Sequence, residues 1–378
     1  MTIRKSAAVA AALAVTLLAA CGSGGGDSAS SSSAASSGGS EVAPADLTFA
    51  IASAVIGPKE EVALYAVAKQ MGYFDEEKLT VKTINTDGSI AAVQAVGSGQ
   101  ADITASDTGS ILAGVQKKVP VKTVGGLVQN WPWQFATMPG STLKTPADFK
   151  GKKIGVISLA SGSAPYARAF VKAGGLDPAS DVQLIPVGVG AQAAAALTGG
   201  DVDALALYTQ AYAVIENSGT KLDYLDNPDV FDGIRSLSFA VTASKLASDK
   251  GVYERFLRAG YKAMLFSAQN PEAAMKIGYK EFPQILAGKT EDARLADDVN
   301  SLKTWIATAT PKTGEPSSFK DWGAIPDADW TATQTYTQQA GQITGPVDLA
   351  TIWDSSLLGA ANSFDSAAVL KQADEWKP

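Results

Sequence analysis

The chain has 378 residues, of which 46% are hydrophobic, and 31 basic against 38 acidic residues give it a formal net charge of −7. That length and hydrophobic content suffice for two globular domains with buried cores. The sequence has no histidine and one cysteine, which excludes histidine-dependent nucleophiles, histidine metal sites and an intrachain disulfide. It also lacks a cluster of basic residues, so nucleic acid is not an expected partner.

The N-terminal segment has the pattern of an export signal followed by a tether. A basic start precedes an apolar stretch at 7–19, and the segment LAAC, which ends at Cys21, resembles a bacterial lipobox. The resemblance implies a lipoprotein signal peptide at 1–20 and a lipid on the Cys21 thiol that anchors the protein to the extracytoplasmic face of a membrane. The alternative is a cytosolic helix with a chance cysteine. Residues 21–45 are rich in Gly, Ser and Ala, which predicts a flexible tether.

The next part of the chain alternates strand-like and helix-like patterns. Strands are predicted at 47–53, 79–84, 101–105 and 119–127, and helices at 60–70, 90–96 and 110–117. Strands that alternate with helices at this spacing predict a parallel or mostly parallel sheet.

A second α/β set follows. Its predicted strands are at 152–159, 182–187 and 203–207, and its helices are at 164–173 and 191–197. The two sets repeat a pattern in which glycine ends a helix before a short strand, and counting five residues on from Asp102 and Asp203 gives Asp107 and Tyr208. If the sets are two lobes, Asp107 and Tyr208 face each other across a cleft, because ligands bind outside the carboxyl ends of such strands.

The remainder of the chain is predicted to return to the first lobe. Residues 237–243 are strand-like, and amphipathic helices are predicted at 253–269, 271–282 and 293–307. Residues 310–378 are less regular, and the tryptophans there are interpreted as packing residues: Trp322, Trp330, Trp353 and Trp376.

One turn carries the strongest local signal for binding. The apolar run at 152–159 leads into Ser161, Gly162 and Ser163, and a helical pattern then runs to Ala173. The first N–H groups of such a helix have no partner in the chain, and the helix dipole favours negative charge. The turn is therefore suited to an anionic or strongly polar group, and the alternative is a plain helix cap.

Four motifs now indicate a family. They are YAVA from Tyr65 with GYF from Gly72, GSGQADI from Gly97, TPADFKGKKIGV from Thr145, and GGDVDALALY from Gly199. In this order they resemble the substrate-binding proteins of nitrate, sulfonate and taurine importers, also called the NMT1/THI5-like and SsuA/TauA group. The resemblance covers roughly residues 47–245.

The resemblance implies an α/β type II periplasmic-binding-protein fold, with two α/β lobes joined by two hinge strands and a ligand cleft between them. Lobe 1 would comprise residues 46–135, lobe 2 residues 136–236, and residues 237–378 would return to lobe 1. The hinge is expected near 133–138 and again near 236–240, where closure around a ligand would occur.

The resemblance and the local patterns together give the expected ligand-binding residues. They are Ser53, Ala54, Val55, Gly88, Ser89, Asp107, Thr108, Trp131, Ser161, Gly162, Ser163, Gly188 and Tyr208. Gly88 with Ser89 has a simple cap as its alternative, and Gly188 an ordinary turn. Trp131 and its neighbour Trp133 could stack on the organic part of a ligand, and these two residues and Tyr208 have core packing as their alternative. Asp107 either caps a helix or meets an amine or amide of the ligand.

The expected function is that of a monomeric, lipid-anchored solute-binding protein of an ABC importer. It would deliver a small organic anion, a sulfonate such as taurine or an aromatic carboxylate such as phthalate, to a membrane permease. Alternatives are a thiamine-precursor pyrimidine or nitrate as ligand, and a sensory receptor without transport. One branch of the family is an enzyme that uses its own histidine, which this chain lacks, so no catalytic residue, metal or cofactor is expected.

Overall fold

The computed structural model describes residues 42–378. The predicted signal peptide at 1–20, the lipidation of Cys21 and most of the predicted tether lie outside the described residues. The tether prediction extends one residue too far, because Ala45 already pairs with Leu79 of a neighbouring strand. Within the part that is described, no helix is both long and apolar enough to span a membrane.

The described residues form ten strands and fourteen α-helices. The strands are β1 Ala45–Ile51, β2 Leu79–Asn85, β3 Ile103–Asp107, β4 Val121–Gly126, β5 Trp133–Thr137, β6 Lys152–Val156, β7 Val182–Pro186, β8 Ala204–Tyr208, β9 Asp223–Leu225 and β10 Leu237–Thr242. The helices are α1 Val67–Gln70, α2 Tyr73–Glu76, α3 Ser89–Gly97, α4 Thr108–Gln116, α5 Ser163–Ala173, α6 Ala191–Thr198, α7 Thr209–Asn217, α8 Ala243–Gln269, α9 Pro271–Glu281, α10 Glu291–Ala309, α11 Asp327–Gln339, α12 Leu349–Ile352, α13 Leu358–Ala361 and α14 Ser366–Glu375. A π-helix, Glu61–Ala66, leads into α1, and five short 3-10 helices occur at Pro146–Phe149, Asp229–Phe231, Pro283–Leu286, Pro316–Ser318 and Ser355–Leu357.

The first sheet has the strand order β2-β1-β3-β10-β4. Strand β1 runs parallel to β2 and to β3, whereas β10 runs antiparallel to both of its neighbours. The strand predicted at 237–243 therefore returns to the first sheet, as expected.

The second sheet repeats this arrangement with the order β7-β6-β8-β5-β9. Strand β6 is parallel to β7 and β8, and β5 is the antiparallel strand, inserted between β8 and β9. Each sheet thus receives one antiparallel strand at the point where the chain enters it. This is the mostly parallel, two-sheet α/β architecture that the sequence predicts.

Each sheet is covered by its own aromatic core. On the first sheet, Phe256 of α8 packs against Phe49 of β1 with ring centroids 5.6 Å apart. On the second sheet, Phe135 of β5 stacks on Phe170 of α5 at 4.1 Å. Burial of such side chains is the main term that stabilises a fold of this kind.

Several predicted elements differ from the structure. The expected hinge at 133–138 is mostly strand β5 and that at 236–240 is mostly β10, so the chain crosses between the sheets just before them, at 127–132 and 226–236. Helix α8 begins at Ala243 instead of residue 253, because two helical segments run together across a kink at Asp249. The region 310–378 holds α11 to α14.

Candidate functional site

A cavity of about 490 Å³ lies where strands of both sheets end. It is lined by Asp107 at the end of β3 and by Tyr208 at the end of β8, which hold the same third position in their two sheets. Ten of the expected binding residues line it: Ser53, Ala54, Val55, Gly88, Ser89, Asp107, Ser161, Gly162, Gly188 and Tyr208. The echo in the sequence therefore does identify two strand ends that meet at one cavity.

Three expected residues, Thr108, Trp131 and Ser163, are not among those that line the cavity. The Thr108 hydroxyl donates to the carbonyl of Ser236 at 3.0 Å, and the Ser163 hydroxyl accepts from the N–H of Ile157 at 2.9 Å. Both side chains are fully buried.

Trp131 instead belongs to the aromatic core of the second sheet. Its ring stacks on Phe231 at 5.5 Å and meets Tyr336 edge-on at 4.9 Å. Its neighbour in the sequence, Trp133, lines the cavity. Strand β5 begins at Trp133 and fixes the direction of its side chain. This strand has five residues and was not predicted from the sequence.

Sequence reasoning also missed a buried charge cluster at Lys59, Glu60 and Glu61. The Lys59 ammonium donates to the Glu60 carboxylate at 2.8 Å and also contacts Glu61. Lys59 and Glu60 line the cavity, whereas Glu61 lies behind them. In sequence the run KEE looks like an ordinary solvated helix start, but in the structure it is buried at the start of the π-helix Glu61–Ala66.

Burial and mutual attraction set the protonation of this cluster. Burial alone would lower the pKa of Lys59, but the two carboxylates outweigh it and hold that pKa above its usual value. Burial raises the pKa of Glu61, against the opposing pull of the Lys59 ammonium. Lys59 is therefore charged and already bonded to carboxylate, so it is not a free cation for an anionic ligand.

Asp107 caps a helix and also lines the cavity. Its carboxylate caps helix α4 by accepting from the N–H of Ser110 at 2.9 Å and from the Ser110 hydroxyl at 3.0 Å. The side chain is 3% exposed and lines the cavity. Burial raises its pKa to about 6, although these hydrogen bonds oppose the shift.

The second sheet supplies most of the aromatic surface. Trp133 and Tyr208 are direct partners between β5 and β8, and their rings meet edge-on at 5.6 Å. Trp305 of α10 also lines the cavity. The indole Nε1 of Trp133 is buried and has no hydrogen-bond partner among the described residues, and the same holds for the hydroxyl of Thr209.

The two sides of the cavity come together beside the Ser161 turn. The N–H of Ile90 in α3 donates to the carbonyl of Ala160, beside the Ser161 turn, at 3.4 Å. At Gly88, φ is +103° and an added Cβ would lie 3.0 Å from that same carbonyl oxygen. At Gly162 an added Cβ would lie 3.0 Å from the Trp133 ring. Gly88 is therefore required by its positive φ and by this close approach, whereas a side chain at Gly162 would need the Trp133 ring to shift.

Helix N-termini give the cavity hydrogen-bond donors as well. Helices α3, α5, α6 and α7 all begin at or beside residues that line it. Their first N–H groups favour acceptors or negative charge. The charged side chains favour hydrogen-bond donors instead. The described lining residues include no arginine and one lysine, which is already bonded to carboxylate, and they include three carboxyl groups, those of Glu60, Asp87 and Asp107.

Comparison with known proteins shows a curated relative at moderate identity. The riboflavin-binding protein RibY of Chloroflexus aurantiacus is 27% identical over 297 residues, which cover 77% of this chain and 81% of RibY.

Solved structures show the same fold at low identity. The alkanesulfonate-binding protein SsuA of Xanthomonas axonopodis pv. citri, solved with MOPS bound, has a TM-score of 0.61 at 17% identity and covers 82% of this chain and 99% of its own. The desulfurization enzyme DszB, solved as a mutant in complex with biphenyl-2-sulfinic acid, has a TM-score of 0.53 at 15% identity over 84% and 98% of the two chains. The fold is thus that of periplasmic binding proteins, and it hosts an enzyme too.

A family profile shows which family the chain belongs to. The profile described as NMT1/THI5 like matches residues 59–274, which is more than half of the sequence and includes most of the residues that line the cavity. The chain belongs to the NMT1/THI5-like family.

Proposed function

We propose that this protein is the solute-binding component of an ABC importer and that it binds an uncharged heteroaromatic solute of the flavin class. The observation that carries the proposal is the mixed polarity of the cavity. Helix N-termini and the Trp133 Nε1 offer donors, whereas the carboxylates of Glu60 and Asp107 offer acceptors. A neutral solute with carbonyl or ring-nitrogen acceptors and with hydroxyl or N–H donors uses both sets.

An acceptor-only anion uses half of this cavity. Sulfonate and carboxylate groups can accept from helix N-termini, but they leave Oε2 of the buried Glu60 carboxylate without a donor. A buried polar group that stays unpaired costs about 1–3 kcal/mol, and more when it is charged. The binding free energy therefore favours a solute that brings donors.

Size and ring surface support the same class. A cavity of about 490 Å³ lies within the range of roughly 300–1,000 Å³ that holds organic ligands of drug size. It leaves nitrate and taurine with few contacts, whereas Trp133, Tyr208 and Trp305 can pack on a ring system. The name of the relative RibY supports a flavin.

The organic anion predicted from the sequence remains the second candidate. The specific observation in its favour is that helices α3, α6 and α7 begin at residues that line the cavity and that α5 begins at the Ser161 to Ser163 turn. An aromatic carboxylate such as phthalate would then place its charged group at that turn and its ring on Trp133. A thiamine-precursor pyrimidine would direct its amino group at Asp107.

The cellular setting is part of the proposal. The protein would be exported, anchored to the extracytoplasmic face of the membrane by lipid on Cys21, and would act as a monomer that delivers its solute to permease subunits. Two lobes, at 46–135 with 237–378 and at 136–236, would close on the solute, and no chemical step would follow.

A thermal-shift panel tests the solute class, because a ligand that binds only the folded protein raises its melting temperature. Riboflavin, phthalate, taurine, nitrate and an aminopyrimidine would be compared at equal concentration. The proposal expects the largest shift with riboflavin. A larger shift with phthalate or taurine would contradict it and would favour the second candidate.

A further inference from the structure

One carboxylate oxygen at the cavity is left without a partner. Glu60 is 4% exposed, its Oε1 accepts from the Lys59 ammonium at 2.8 Å, and its Oε2 is buried with no hydrogen-bond partner among the described residues. Buried polar atoms in folded proteins nearly always have a partner. Oε2 of Glu61 lacks a partner as well, but Glu61 does not line the cavity, so of these two oxygens only Oε2 of Glu60 is on a residue that a solute can reach.

The cluster holds more carboxyl groups than its lysine needs. Lys59 also contacts Glu61, which is fully buried and does not line the cavity. One lysine is neutralised by one carboxylate, and the cluster contains two carboxyl groups. Glu60 is the one on the side of the cavity, and its burial there is explained if a solute uses it.

The surroundings of Glu60 define the group that it can bind. An acceptor would be repelled by the carboxylate. A cationic amine at Oε2 would lie close to the Lys59 ammonium on the same carboxylate, where low dielectric strengthens repulsion between like charges. An uncharged O–H or N–H donor meets neither penalty.

Two aromatic residues of the second sheet lie at the same cavity as Glu60. The phenol of Tyr208 lies close enough to Lys59, Glu60 and Glu61 that their charges act on its pKa, which burial raises above its usual value. Trp133 meets the Tyr208 ring edge-on, and its buried Nε1 lacks a partner among the described residues. One end of the cavity thus presents a carboxylate acceptor and an indole donor beside aromatic rings.

We propose that Glu60, held in place by Lys59, determines specificity by accepting a hydrogen bond from an uncharged O–H or N–H donor of the solute. The inference rests on the proposed function and adds to it the residue that selects the donor. Two sources can supply the donor in a flavin: the hydroxyl groups of its ribityl chain and the N–H of its ring.

The test compares Glu60→Gln with Glu61→Gln by titration of flavin fluorescence. The two substitutions make the same chemical change in the same cluster, but only Glu60 lines the cavity. We expect Glu60→Gln to weaken riboflavin binding at least tenfold and Glu61→Gln to change it less than threefold. Equal losses in both variants, or less than a threefold loss in Glu60→Gln, would overturn the inference.

Three ligands on the unsubstituted protein keep the test independent of any folding defect. If a ribityl hydroxyl is the donor, lumiflavin should bind at least tenfold more weakly than riboflavin; if the ring N–H is the donor, 3-methylriboflavin should. Equal affinity for all three would overturn the inference while leaving the proposed function intact. No measurable binding of any flavin would overturn the proposed function, and the inference with it.

Discussion

The two sheets have the same strand order, yet they bring different chemistry to the cavity. The first-sheet side contributes charge through Lys59, Glu60 and Asp107, whereas the second-sheet side contributes the rings of Trp133 and Tyr208. The same topology therefore supports two different surfaces. Side chains at strand ends can change without disturbing the sheet, because backbone groups form its hydrogen-bonded ladder.

Residues that hold the sheets together are repeated in both halves. Asp102 accepts from the N–H of Thr48 at 2.8 Å, and Asp203 accepts from the N–H of Lys153 at the same distance. Each aspartate pins the start of the central strand of its sheet. Five residues farther on, at the cavity, the halves diverge to Asp107 and Tyr208. The paired aspartates thus hold the fold together, whereas Asp107 and Tyr208 line the cavity.

The largest expected effect is on the free energy of unfolding, which we expect to depend on pH through Asp107 at the end of β3. Burial raises the pKa of Asp107 from 3.8 to about 6, so the folded state binds this proton more tightly than the unfolded chain, and the contribution of Asp107 to stability falls as pH rises from about 4 to about 6. Asp107→Asn keeps an N-cap acceptor and should raise the free energy of unfolding by up to about 3 kcal/mol at pH 7, with no gain near pH 4. Urea denaturation at both pH values measures this.

The control for that prediction is Tyr208→Phe at the corresponding end of β8. Burial holds the pKa of Tyr208 above its usual value, so its phenol stays neutral and the substitution should leave the shape of the stability profile between pH 4 and 7 unchanged. A similar change of profile in both variants, or none in Asp107→Asn, would contradict the assignment of a buried, titrating Asp107.

The next effect concerns the contact between the two sides. Gly88→Ala places a Cβ 3.0 Å from the Ala160 carbonyl oxygen, and backbone cannot yield easily. Relief requires the sides to separate, so we expect solute affinity to fall about 30-fold, or roughly 2 kcal/mol. Gly219→Ala is the control, because Gly219 also has a positive φ, +92°, but open space around its Cβ position. An equal loss of affinity in both variants, by calorimetry, would show that the contact is unimportant.

A smaller effect tests the aromatic side. Trp133→Phe keeps a ring but removes the unpartnered Nε1, so solute affinity should fall about 5- to 10-fold, which lies within the usual range for one hydrogen bond. Trp131→Phe is the matched control, since its Nε1 is equally unpartnered among the described residues but the residue does not line the cavity. Fluorescence titration measures the solute affinity of both variants. Unchanged affinity in Trp133→Phe would assign the indole a packing role alone.

The smallest effect concerns a contact that joins α7, on the second sheet, to α10. The Asn217 side chain donates to the carbonyl of Asp297 at 2.8 Å and to the Ser301 hydroxyl at 3.2 Å. Asn217→Ala should lower the free energy of unfolding by about 0.5–1.5 kcal/mol. Asn300→Ala, which loses one exposed bond of 3.3 Å, should have less effect. Equal melting temperatures for the two variants would contradict this order.

The sequence predicted the strands and helices of the two α/β sets from local patterns, and it predicted most of the residues at the cavity from those patterns together with the family resemblance. Glycine-ended helices and short apolar strands fixed the two α/β sets, and the count from Asp102 and Asp203 placed Asp107 and Tyr208 at one cavity. Strand β5 was missed because five residues beside a proline give too little periodicity.

The charge cluster could not be predicted for a different reason. Lys59, Glu60 and Glu61 are residue types that are nearly always exposed, and nothing in a KEE run indicates burial. Likewise, the choice between Trp131 and Trp133 depends on tertiary packing, which sends the first into the core beside Tyr336 and the second to the cavity.

The central claim is that the cavity is built for an uncharged solute that brings both donors and acceptors. Isothermal titration of the purified protein with riboflavin and with riboflavin 5′-phosphate tests it most directly, because the two share the ring and differ in a charged group. We expect riboflavin to bind at least tenfold more tightly. Tighter or equal binding of the phosphate, or a preference for a sulfonate or an aromatic carboxylate over both, would contradict it.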